Sequence, residues 1–432
     1  MATLPRETTR RGLEALLSAG ADKAQCRLTI SDKHEMNVES GEINLLRTTF
    51  DTRFSFTVIK DRKKGQTAVN KTDPQAVQGA VGDVLAIAAA AAPDDANDIA
   101  ERQPPAVFSS GPESPDLGRM HHRLKELLGQ VKAKHPKAVL RQAYLDFTRT
   151  RSWIQNSEGV DFETSHGVYR FTAIFSSRDG DKVSSFNYTG FSLRDLDREL
   201  LQCGSLDELL RQSGEQTATH PIAGKFVGDV IFTPECVGDM LEFLVWSIMD
   251  GAIISGNSVY KESLGKQVAS PLLTVHSRPV SDEICDGYFV TSDGYAAKNS
   301  TVVDRGVLKT FLLSLYGAKK TGKERAVNDG GAFVVEAGET PLSDMVKSVK
   351  RGLLMARFSG GHPSRNGDFS GVAKNSYLIE DGKIKYPVSE CMVSGNFAEM
   401  LKAITAVSKE RVDFGFGIVP WISASGATVS GK

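Results

Sequence analysis

Apolar and polar residues alternate over short runs separated by glycine turns, and this pattern limits the possible folds more than any other feature. It runs from residue 26 to 70, as CRLTISDKHEMNVESGEINLLRTTFDTRFSFTVIKDRKKGQTAVN, with candidate turns at Ser40-Gly41 and Lys64-Gly65. A second such region lies between residues 139 and 190. Because a period of two places one face of a strand inward and short turns join antiparallel neighbours, the sequence predicts antiparallel sheets.

Fewer segments have the helical period of 3.6 residues. Helices are expected at residues 8–19, 73–92, 117–134, 193–213, 237–254, 342–358 and 397–409. The helix at 237–254 is apolar on all sides, which predicts that it is buried. The predicted fold class is therefore α+β, with mostly antiparallel sheets, a few packed helices, and N-terminal and C-terminal domains.

Polar stretches rich in proline, glycine and serine divide the chain. Residues 93–115 have the composition of a linker, and residues 214–221 form a second polar stretch. The predicted units are an N-terminal meander domain, a middle strand-rich section packed with it, and a C-terminal sheet-rich domain that contains the buried helix. Their bounds are 1–103, 104–220 and 221–432.

Charge and cysteine content limit the classes of partner that the chain is expected to bind and the cellular compartment in which it is expected. The chain has 432 residues, with 52 Lys and Arg against 53 Asp and Glu, so its net charge of −1 gives no general attraction to nucleic acid or anionic lipid. Its five cysteines are widely spaced and form no CxxC pair, which fits a reducing compartment. No window approaches 18 uncharged apolar residues, and the N-terminal stretch is too charged for a signal peptide, so a cytoplasmic location is expected.

Common catalytic motifs are absent from the sequence. It contains no HExxH zinc motif, no GxSxG nucleophile elbow and no complete P-loop, and its eight histidines form no cluster with ligand spacing. The remaining unusual feature is the density of glycine and small polar residues in the last third, beginning with SGGHPSRNGDFSG at Ser359. Such glycines either serve as ordinary turns or allow close approach of an extended peptide. On the second interpretation the candidate substrate-binding residues are Asn366, Gly367, Asp368 and Ser370.

Several segments, in the same order, resemble the TldD/PmbA family. The segment that begins at Asn366, NGDFSGVAKNSYLIEDGKIKYPVSECMVSGNFAEMLKAITAVSKE, resembles the signature near the family's C-terminus. Three others resemble its N-terminal meander, its middle N-S-x-G turn and its D-x-G-x-L strand: VESGEINLLRTTFDTRFSFTVIKDRKKGQTAVN, NSEGVDFE and DGYAAKNSTVVDRGVLKTFLLSLYGAKKTG. Together they cover nearly the whole chain.

The resemblance implies a cytoplasmic two-protein zinc peptidase that acts on unfolded peptides, in which one subunit supplies HExxxH and a later cysteine. This sequence resembles the other, TldE/PmbA-like subunit. In TPECVGDMLEF, Pro234 and Asp239 stand where the two histidines would be, and Glu235 is retained. Proline cannot bind a metal, and the region matched to the ligating cysteine, KERVDFGFGIVPW, contains none. We therefore expect no metal and no catalytic residue on this chain, and zinc on a TldD-like partner.

Three hypotheses follow. In the first, the chain is the non-catalytic partner of a TldD-like subunit and forms part of the wall of a peptide groove, with Glu235 as an acidic residue favoured by the helix dipole. In the second, it is a stand-alone homodimeric scaffold that binds peptides or a protein without hydrolysis. In the third, it is an active peptidase with the unrecognised ligands Asp239, His276 and Cys285.

Overall fold

The structure is a computed structural model that describes residues 4–39, 41–360 and 362–431. Its strands form two large sheets, and helices pack on both. Most neighbouring strands are antiparallel, so the predicted α+β class is confirmed.

The N-terminal sheet has the strand order β3-β2-β1-β5-β6-β4, and β7 and β8 also pair with β6. Only the pairing of β4 with β6 is parallel among the described strands of this sheet. The strands are β1 (Lys23–Glu39), β2 (Glu42–Lys60), β3 (Lys63–Val69), β4 (Ala106–Ser110), β5 (Ala138–Asn156), β6 (Asp161–Asp179), β7 (Lys182–Val183) and β8 (Asn187–Leu193).

Four helices and one short 3₁₀ turn accompany this sheet. They are α1 (Pro5–Ser18), α2 (Pro74–Ala90), α3 (Leu117–Lys134), the 3₁₀ turn Leu200–Gln202 and α4 (Leu206–Glu215). The side chain of Asp73 caps α2 by accepting from the Ala76 N–H, and Pro74 occupies the first turn. Phe54 and Phe56 on β2 are buried in the same cluster as residues of α1 and α2.

The C-terminal sheet has the order β12-β11-β10-β13-β21-β9-β14-β17-β18, with β15, β16, β19 and β20 off this path. Its β13–β21 and β9–β14 pairs are parallel. The strands are β9 (Lys225–Phe232), β10 (Val275–Ser277), β11 (Ser300–Asp304), β12 (Val307–Leu308), β13 (Phe333–Val335), β14 (Arg351–Met355), β15 (Arg357–Gly360), β16 (Asp368–Lys374), β17 (Tyr377–Glu380), β18 (Lys383–Pro387), β19 (Cys391–Asn396), β20 (Ile404–Asp413) and β21 (Ile418–Ser430).

The helices of this part are α5 (Pro234–Ile248), α6 (Asp250–Ile254), α7 (Leu315–Thr321), α8 (Leu342–Ser348) and α9 (Phe397–Lys402). The stretch 237–254 is thus two helices, because Met249 adopts an extended conformation with φ −90° and ψ 169°. Most of α5 is buried, but Gly238, Glu242 and Trp246 are exposed along one side. That side faces the cavity described below.

Three further stretches differ from the predicted helices. Residues 193–213 are not one helix, because Leu193 ends β8, a 3₁₀ turn follows at Leu200–Gln202, and α4 begins only at Leu206. Residues 342–358 begin as α8 but continue as strands from Arg351, and residues 397–409 begin as α9 but continue as β20 from Ile404. The sequence segments on either side of residue 103 share one sheet, because β1 pairs with β5 from Gln25 to Glu39. Within the described residues, no helix has the length and apolar character needed to cross a membrane.

Candidate functional site

A cavity of about 770 Å³ lies where the two sheets meet. Strand β8 forms one wall, the exposed side of α5 a second, and segments of the C-terminal sheet close it. Its apolar lining includes Phe191, Leu241, Trp246, Phe333, Phe414 and Phe416. A cavity of this size with mostly apolar walls and a few polar groups is the usual form of a ligand site.

The segment matched to the zinc motif begins α5 at the edge of this cavity. Pro234 occupies the first turn, where its missing N–H costs nothing, and Glu235 follows it. The hydroxyl of Thr189 on β8 donates to Glu235 Oε1 at 2.9 Å. The two walls of the cavity are therefore joined at the N-terminal end of the helix.

Both carboxyl groups of this segment have raised pKa values. Burial raises the pKa of Glu235 to about 7, although Thr189 and the helix N-terminus favour its ionised form. Burial and the neighbouring Glu242 raise the pKa of Asp239 to about 6. The expected effect of the helix dipole on Glu235 is therefore exceeded by burial.

Arg357 is the cation near these carboxyl groups. Its guanidinium lies 3.3 Å from the ring centroid of Tyr188 and donates to Asn187 Oδ1 at 2.9 Å. Burial lowers the pKa of Arg357, and its charge only partly opposes the rise in the pKa of Glu235 and Asp239. Arg357 is therefore held by an aromatic ring and an amide beside the acidic segment.

A second polar cluster lies on another wall of the cavity, around Asp286. Arg170 on β6 donates twice to the Asp286 carboxylate, with both distances 2.8 Å, and the Ser192 hydroxyl donates to it at 2.7 Å. His166 Nε2 lies 3.6 Å from the same carboxylate. Burial opposes ionisation, but the contacts with His166, Arg170 and Ser192 hold the pKa of Asp286 well below its usual range. This cluster joins the N-terminal sheet to the C-terminal part of the chain.

Strand β8 offers backbone groups to the cavity. The Ser192 N–H donates to the Phe414 carbonyl at 2.8 Å, so it points away from β6. Since outward-pointing backbone groups alternate along an antiparallel strand, those of Gly190 and Tyr188 also point away from β6, although the Tyr188 N–H already donates to Asn187 Oδ1 at 3.0 Å. The wall therefore combines a strand edge with apolar pockets, an arrangement suited to an extended peptide.

The acidic segment does not fit a zinc ion. Pro234 has no donor atom, Glu235 and Asp239 have pKa values raised toward neutrality, and the adjacent Cys236 thiol is fully enclosed with a raised pKa. Nowhere in residues 4–39, 41–360 and 362–431 do three or more His, Cys, Asp or Glu side chains form a group that could hold a metal.

The candidate groove residues chosen from the glycine-rich loop lie outside this cavity. Asn366 donates to Asp368 Oδ2 at 2.8 Å, and Asn396, the cap of α9, donates to Asp368 Oδ1 at 2.9 Å. Gly367 has φ +97° and lies against Phe243 and Asn396, while Ser370 is exposed on β16. Their role in binding a substrate stays a prediction, and their observed contacts stabilise the loop.

The alternative ligands Asp239, His276 and Cys285 form no metal-binding group within the described part of the chain. His276 lies on β10, with Nδ1 3.0 Å from the Thr301 hydroxyl and Nε2 3.0 Å from Glu336 Oε1. Burial raises the pKa of the Cys285 thiol to about 12. The structure therefore does not bring these three residues together as a ligand set.

Sequence reasoning missed the Asp286 cluster and two aromatic residues of the cavity lining, Tyr188 and Trp246. Arg170 and Asp286 are separated by 116 positions, and no motif links them. Tyr188 and Trp246 read as ordinary strand and helix residues. The available signal was the Asp286-Gly287 pair beside Cys285, which is typical of a turn.

Comparisons with known proteins agree with the fold. Residues 224–431 match a family profile described as the PmbA/TldA metallopeptidase C-terminal domain. The chain is 25% identical to the metalloprotease PmbA of Escherichia coli O157:H7, over 91% of this chain and 89% of that protein. It is also 25% identical to the metalloprotease PmbA homolog of Haemophilus influenzae, over 94% of this chain and 91% of that protein.

Two solved structures share the fold over almost their whole length. TldE from Thermococcus kodakarensis has a TM-score of 0.82 and 20% identity, covering 98% of this chain and 99% of its own. A putative modulator of DNA gyrase from Bacteroides thetaiotaomicron has a TM-score of 0.86 and 19% identity, covering 99% and 98%. The sequence matches and the shared fold confirm the resemblance to the PmbA/TldD family, and residues 224–431 belong to its metallopeptidase C-terminal domain.

Proposed function

We propose that this chain is the TldE/PmbA-like subunit of a zinc-dependent, cytoplasmic metallopeptidase that acts on unfolded peptides. It binds an extended peptide, pairs with a zinc-carrying TldD-like chain and holds no catalytic metal itself. The observation that carries the proposal is the position of Pro234, Glu235 and Asp239. This segment begins α5 beside the cavity of about 770 Å³, with uncharged or weakly acidic groups where the resemblance places two histidines.

The walls of the cavity support an extended peptide as the ligand. The backbone groups of Gly190 and the carbonyl of Tyr188 point away from β6, and main-chain hydrogen bonds to a strand edge do not depend on the ligand's side chains. Trp246 and Phe416, both about half exposed, offer apolar contacts for the side chains that alternate along such a peptide. Only an unfolded chain can present its backbone in this way.

The division of labour between subunits is tested by reconstitution. The purified chain, alone and with a TldD-like partner that carries HExxxH, is assayed for bound zinc and for cleavage of an unstructured peptide. We expect cleavage only with the partner and no stoichiometric zinc on this chain. One zinc per chain together with cleavage by this chain alone would contradict the proposal.

The role of the cavity is tested by filling it. Gly238 lies on the exposed side of α5, and a Cβ added there meets no atom within 4 Å, so Gly238→Phe can enter the cavity without displacing the backbone. We expect peptide binding, measured by fluorescence anisotropy, to weaken by about tenfold or more, equivalent to about 1.4 kcal/mol.

The matched control is Gly82→Phe. Gly82 lies on α2, is exposed, and also has no atom within 4 Å of an added Cβ. Both changes replace a helical glycine with a better helix former, so neither should lower stability. Unchanged binding by Gly238→Phe, or equal losses in both variants, would remove the cavity from the proposal.

A second candidate function is a stand-alone scaffold that binds peptides without hydrolysis. The poor fit of Glu235 and Asp239 to zinc favours it as much as the first proposal. The two candidates differ in the partner assay: the scaffold binds peptide through the cavity but adds no cleavage to a TldD-like chain.

A further inference from the structure

A second cavity, of about 350 Å³, shares Glu242 and Trp246 with the first cavity and is otherwise lined by different residues. The C-terminal half of α5, together with α6 and the residues that follow it, forms one wall, and residues 363–365 form another. Its volume is at the lower end of the range for small-molecule sites, so it suits a single small molecule better than a length of peptide.

Two side chains of opposite charge line this cavity without pairing with each other. Glu242 lies on α5 and Arg365 on the loop, and both are exposed. In the part of the chain that the structure describes, neither of them forms a salt bridge. The cavity therefore offers a ligand one negative and one positive group.

The helical wall is suited to an ammonium group. The hydroxyls of Ser247 and Ser255 donate to backbone carbonyls of the preceding helical turn, at 2.8 and 2.7 Å, so their oxygens remain available only as acceptors. Glu242 is near enough to Asp239 to help raise its pKa, so a cation bound beside Glu242 would relieve a repulsion between carboxylates. The C-terminal end of α5 also favours a positive charge.

The loop wall is suited to a carboxylate. The Ser364 N–H donates to the Asp368 carbonyl at 2.8 Å, and the Gly367 N–H donates to the Ser364 carbonyl at 2.9 Å, so the loop is held by its own hydrogen bonds. It carries the guanidinium of Arg365, which can bind a carboxylate through two parallel N–H groups.

Two aromatic side chains supply the apolar part of the lining. Phe243 is buried, and Trp246 is 49% exposed. The ring of His362 packs against Trp246 with the ring centroids 4.7 Å apart, which limits the movement of the indole. An apolar or aromatic ligand side chain therefore has a firm surface to pack against.

We propose that this second cavity binds a free α-amino acid with an apolar or aromatic side chain, its ammonium group at Glu242 and its carboxylate at Arg365. A lone anion would meet Glu242 as a like charge, and a lone cation would meet Arg365, so a zwitterion is the better match. The proposal does not depend on the proposed function, since the ligand is bound whether or not the chain takes part in peptide cleavage.

Isothermal titration calorimetry with three ligands tests the two charges separately. L-Phenylalanine carries both charges, 3-phenylpropionate lacks the ammonium group, and 2-phenylethylamine lacks the carboxylate. We expect L-phenylalanine to bind about tenfold or more tightly than either analogue, because each analogue loses one charged contact. Equal affinity of either analogue, or no saturable binding of L-phenylalanine at about 10 mM, would overturn the proposal.

Two variants test the assignment of each charge. Arg365→Gln should weaken the binding of L-phenylalanine and 3-phenylpropionate by about tenfold or more and leave that of 2-phenylethylamine unchanged. Glu242→Gln should weaken L-phenylalanine and 2-phenylethylamine and leave 3-phenylpropionate unchanged. Arg365→Lys keeps the charge but not the two parallel donors, so it should retain more affinity than Arg365→Gln.

The matched controls are Arg102→Gln and Glu324→Gln, at exposed residues that do not line the cavity. Neither should change the affinity for L-phenylalanine. Because all four side chains are exposed, circular dichroism should report intact folds. Equal losses in the cavity variants and the controls would contradict the assignment.

Gly238→Phe separates the two cavities, because Gly238 lines the first cavity and not the second. This variant should bind L-phenylalanine as the wild type does, while its binding of the unstructured peptide weakens. A loss of L-phenylalanine binding in Gly238→Phe would place the amino acid in the first cavity and overturn the proposal.

Discussion

Glu235 and Asp286 lie on different walls of one cavity, and their pKa values are shifted in opposite directions. Burial acts on both carboxyl groups in the same sense, toward the neutral form. Asp286 receives two hydrogen bonds from Arg170 and one from Ser192, whereas Glu235 receives one from the Thr189 hydroxyl. The charged donors around Asp286 together outweigh its burial, whereas the neutral Thr189 hydroxyl does not outweigh the deeper burial of Glu235.

Because of this difference in hydrogen-bond donors, one wall of the cavity has a fixed geometry and the other can change its charge. The Asp286 cluster connects β6 to the C-terminal part of the chain through charged hydrogen bonds, so its geometry is fixed. The α5 wall carries two carboxyl groups, Glu235 and Asp239, that change charge between about pH 6 and 7. The electrostatic potential of the cavity should therefore become more negative as the pH rises through that interval.

The largest expected effect comes from removing the fixed carboxylate. Asp286→Ala leaves the guanidinium of Arg170 without its partner where the two sheets meet. We expect a loss of about 2–3 kcal/mol in the free energy of unfolding, less than for a fully buried pair because Arg170 is partly exposed. Denaturant unfolding of the wild type and the variant at pH 7 measures this loss of stability.

Asp179→Ala is the control for that change. Asp179 forms a 2.8 Å pair with Lys137, and both side chains are about half exposed. The substitution removes a carboxylate and an ion pair at the surface, so it should lower the free energy of unfolding much less than Asp286→Ala does. Equal losses in the two variants would mean that the Asp286 cluster does not join the sheets as described.

Acid should remove the stabilisation by Asp286 in a defined direction. Its pKa lies well below the ordinary value of 3.8, so its contribution is present above that value and is lost as the pH falls below it. The difference between the wild type and Asp286→Ala should therefore shrink in strong acid. A difference that is constant with pH would contradict an electrostatic origin.

Glu235→Gln should have a smaller effect of opposite sign. Because the pKa of Glu235 is raised from 4.5 to about 7, the folded state holds more protons than the unfolded state between these values, and the wild type loses stability as the pH rises through them. The amide cannot ionise, so the variant should gain stability relative to the wild type by about 1–3 kcal/mol between pH 4.5 and 8. Thermal unfolding at several pH values measures the gain.

Glu242→Gln is the control on the same helix, since Glu242 is exposed. The comparison between the walls fails if Glu235→Gln becomes less stable than the wild type as the pH rises. That outcome would place an unrecognised cation near Glu235.

The sheets could be predicted from the sequence because period-two alternation extends over long runs, as in β1, β2, β5 and β6, which have 17 to 19 residues each. The C-terminal ends of the predicted helices at 342–358 and 397–409 could not be predicted in this way. The run after Arg351 is short and apolar, so periodicity cannot separate a buried strand from a helix there, and the run from Ile404 mixes apolar and charged residues without a clear period. Packing decides: Leu353 pairs with β17 and Ile404 with β21.

The two walls of the site also differ in how far the sequence alone could identify their residues. Pro234, Glu235 and Asp239 lie within six consecutive residues, so a resemblance in sequence was enough to identify them. Arg170 and Asp286 become neighbours only through the packing of two sheets, which no local pattern encodes.

The smallest expected effect concerns a third carboxyl group, Asp368, which is exposed. Hydrogen bonds from the amides of Asn396 and Asn366 lower its pKa, so donors control ionisation here too, without burial. Because Asp368 does not line the cavity, we expect Asp368→Ala to leave peptide binding to the cavity unchanged and to lower the melting temperature only slightly. Anisotropy with the unstructured peptide and a thermal scan measure the two effects.

Asn396→Ala is the companion variant, since Asn396 both caps α9 and donates to Asp368. It should cost more than Asp368→Ala, about 1 kcal/mol, because the helix loses its N-terminal acceptor for the Glu399 N–H. If Asp368→Ala instead weakens peptide binding while the melting temperature holds, the loop at 366–370 contacts the substrate as the sequence-based hypothesis states. The groove would then extend past Trp246, which also lines a second cavity of about 350 Å³ together with Ser364 and Arg365 of that loop.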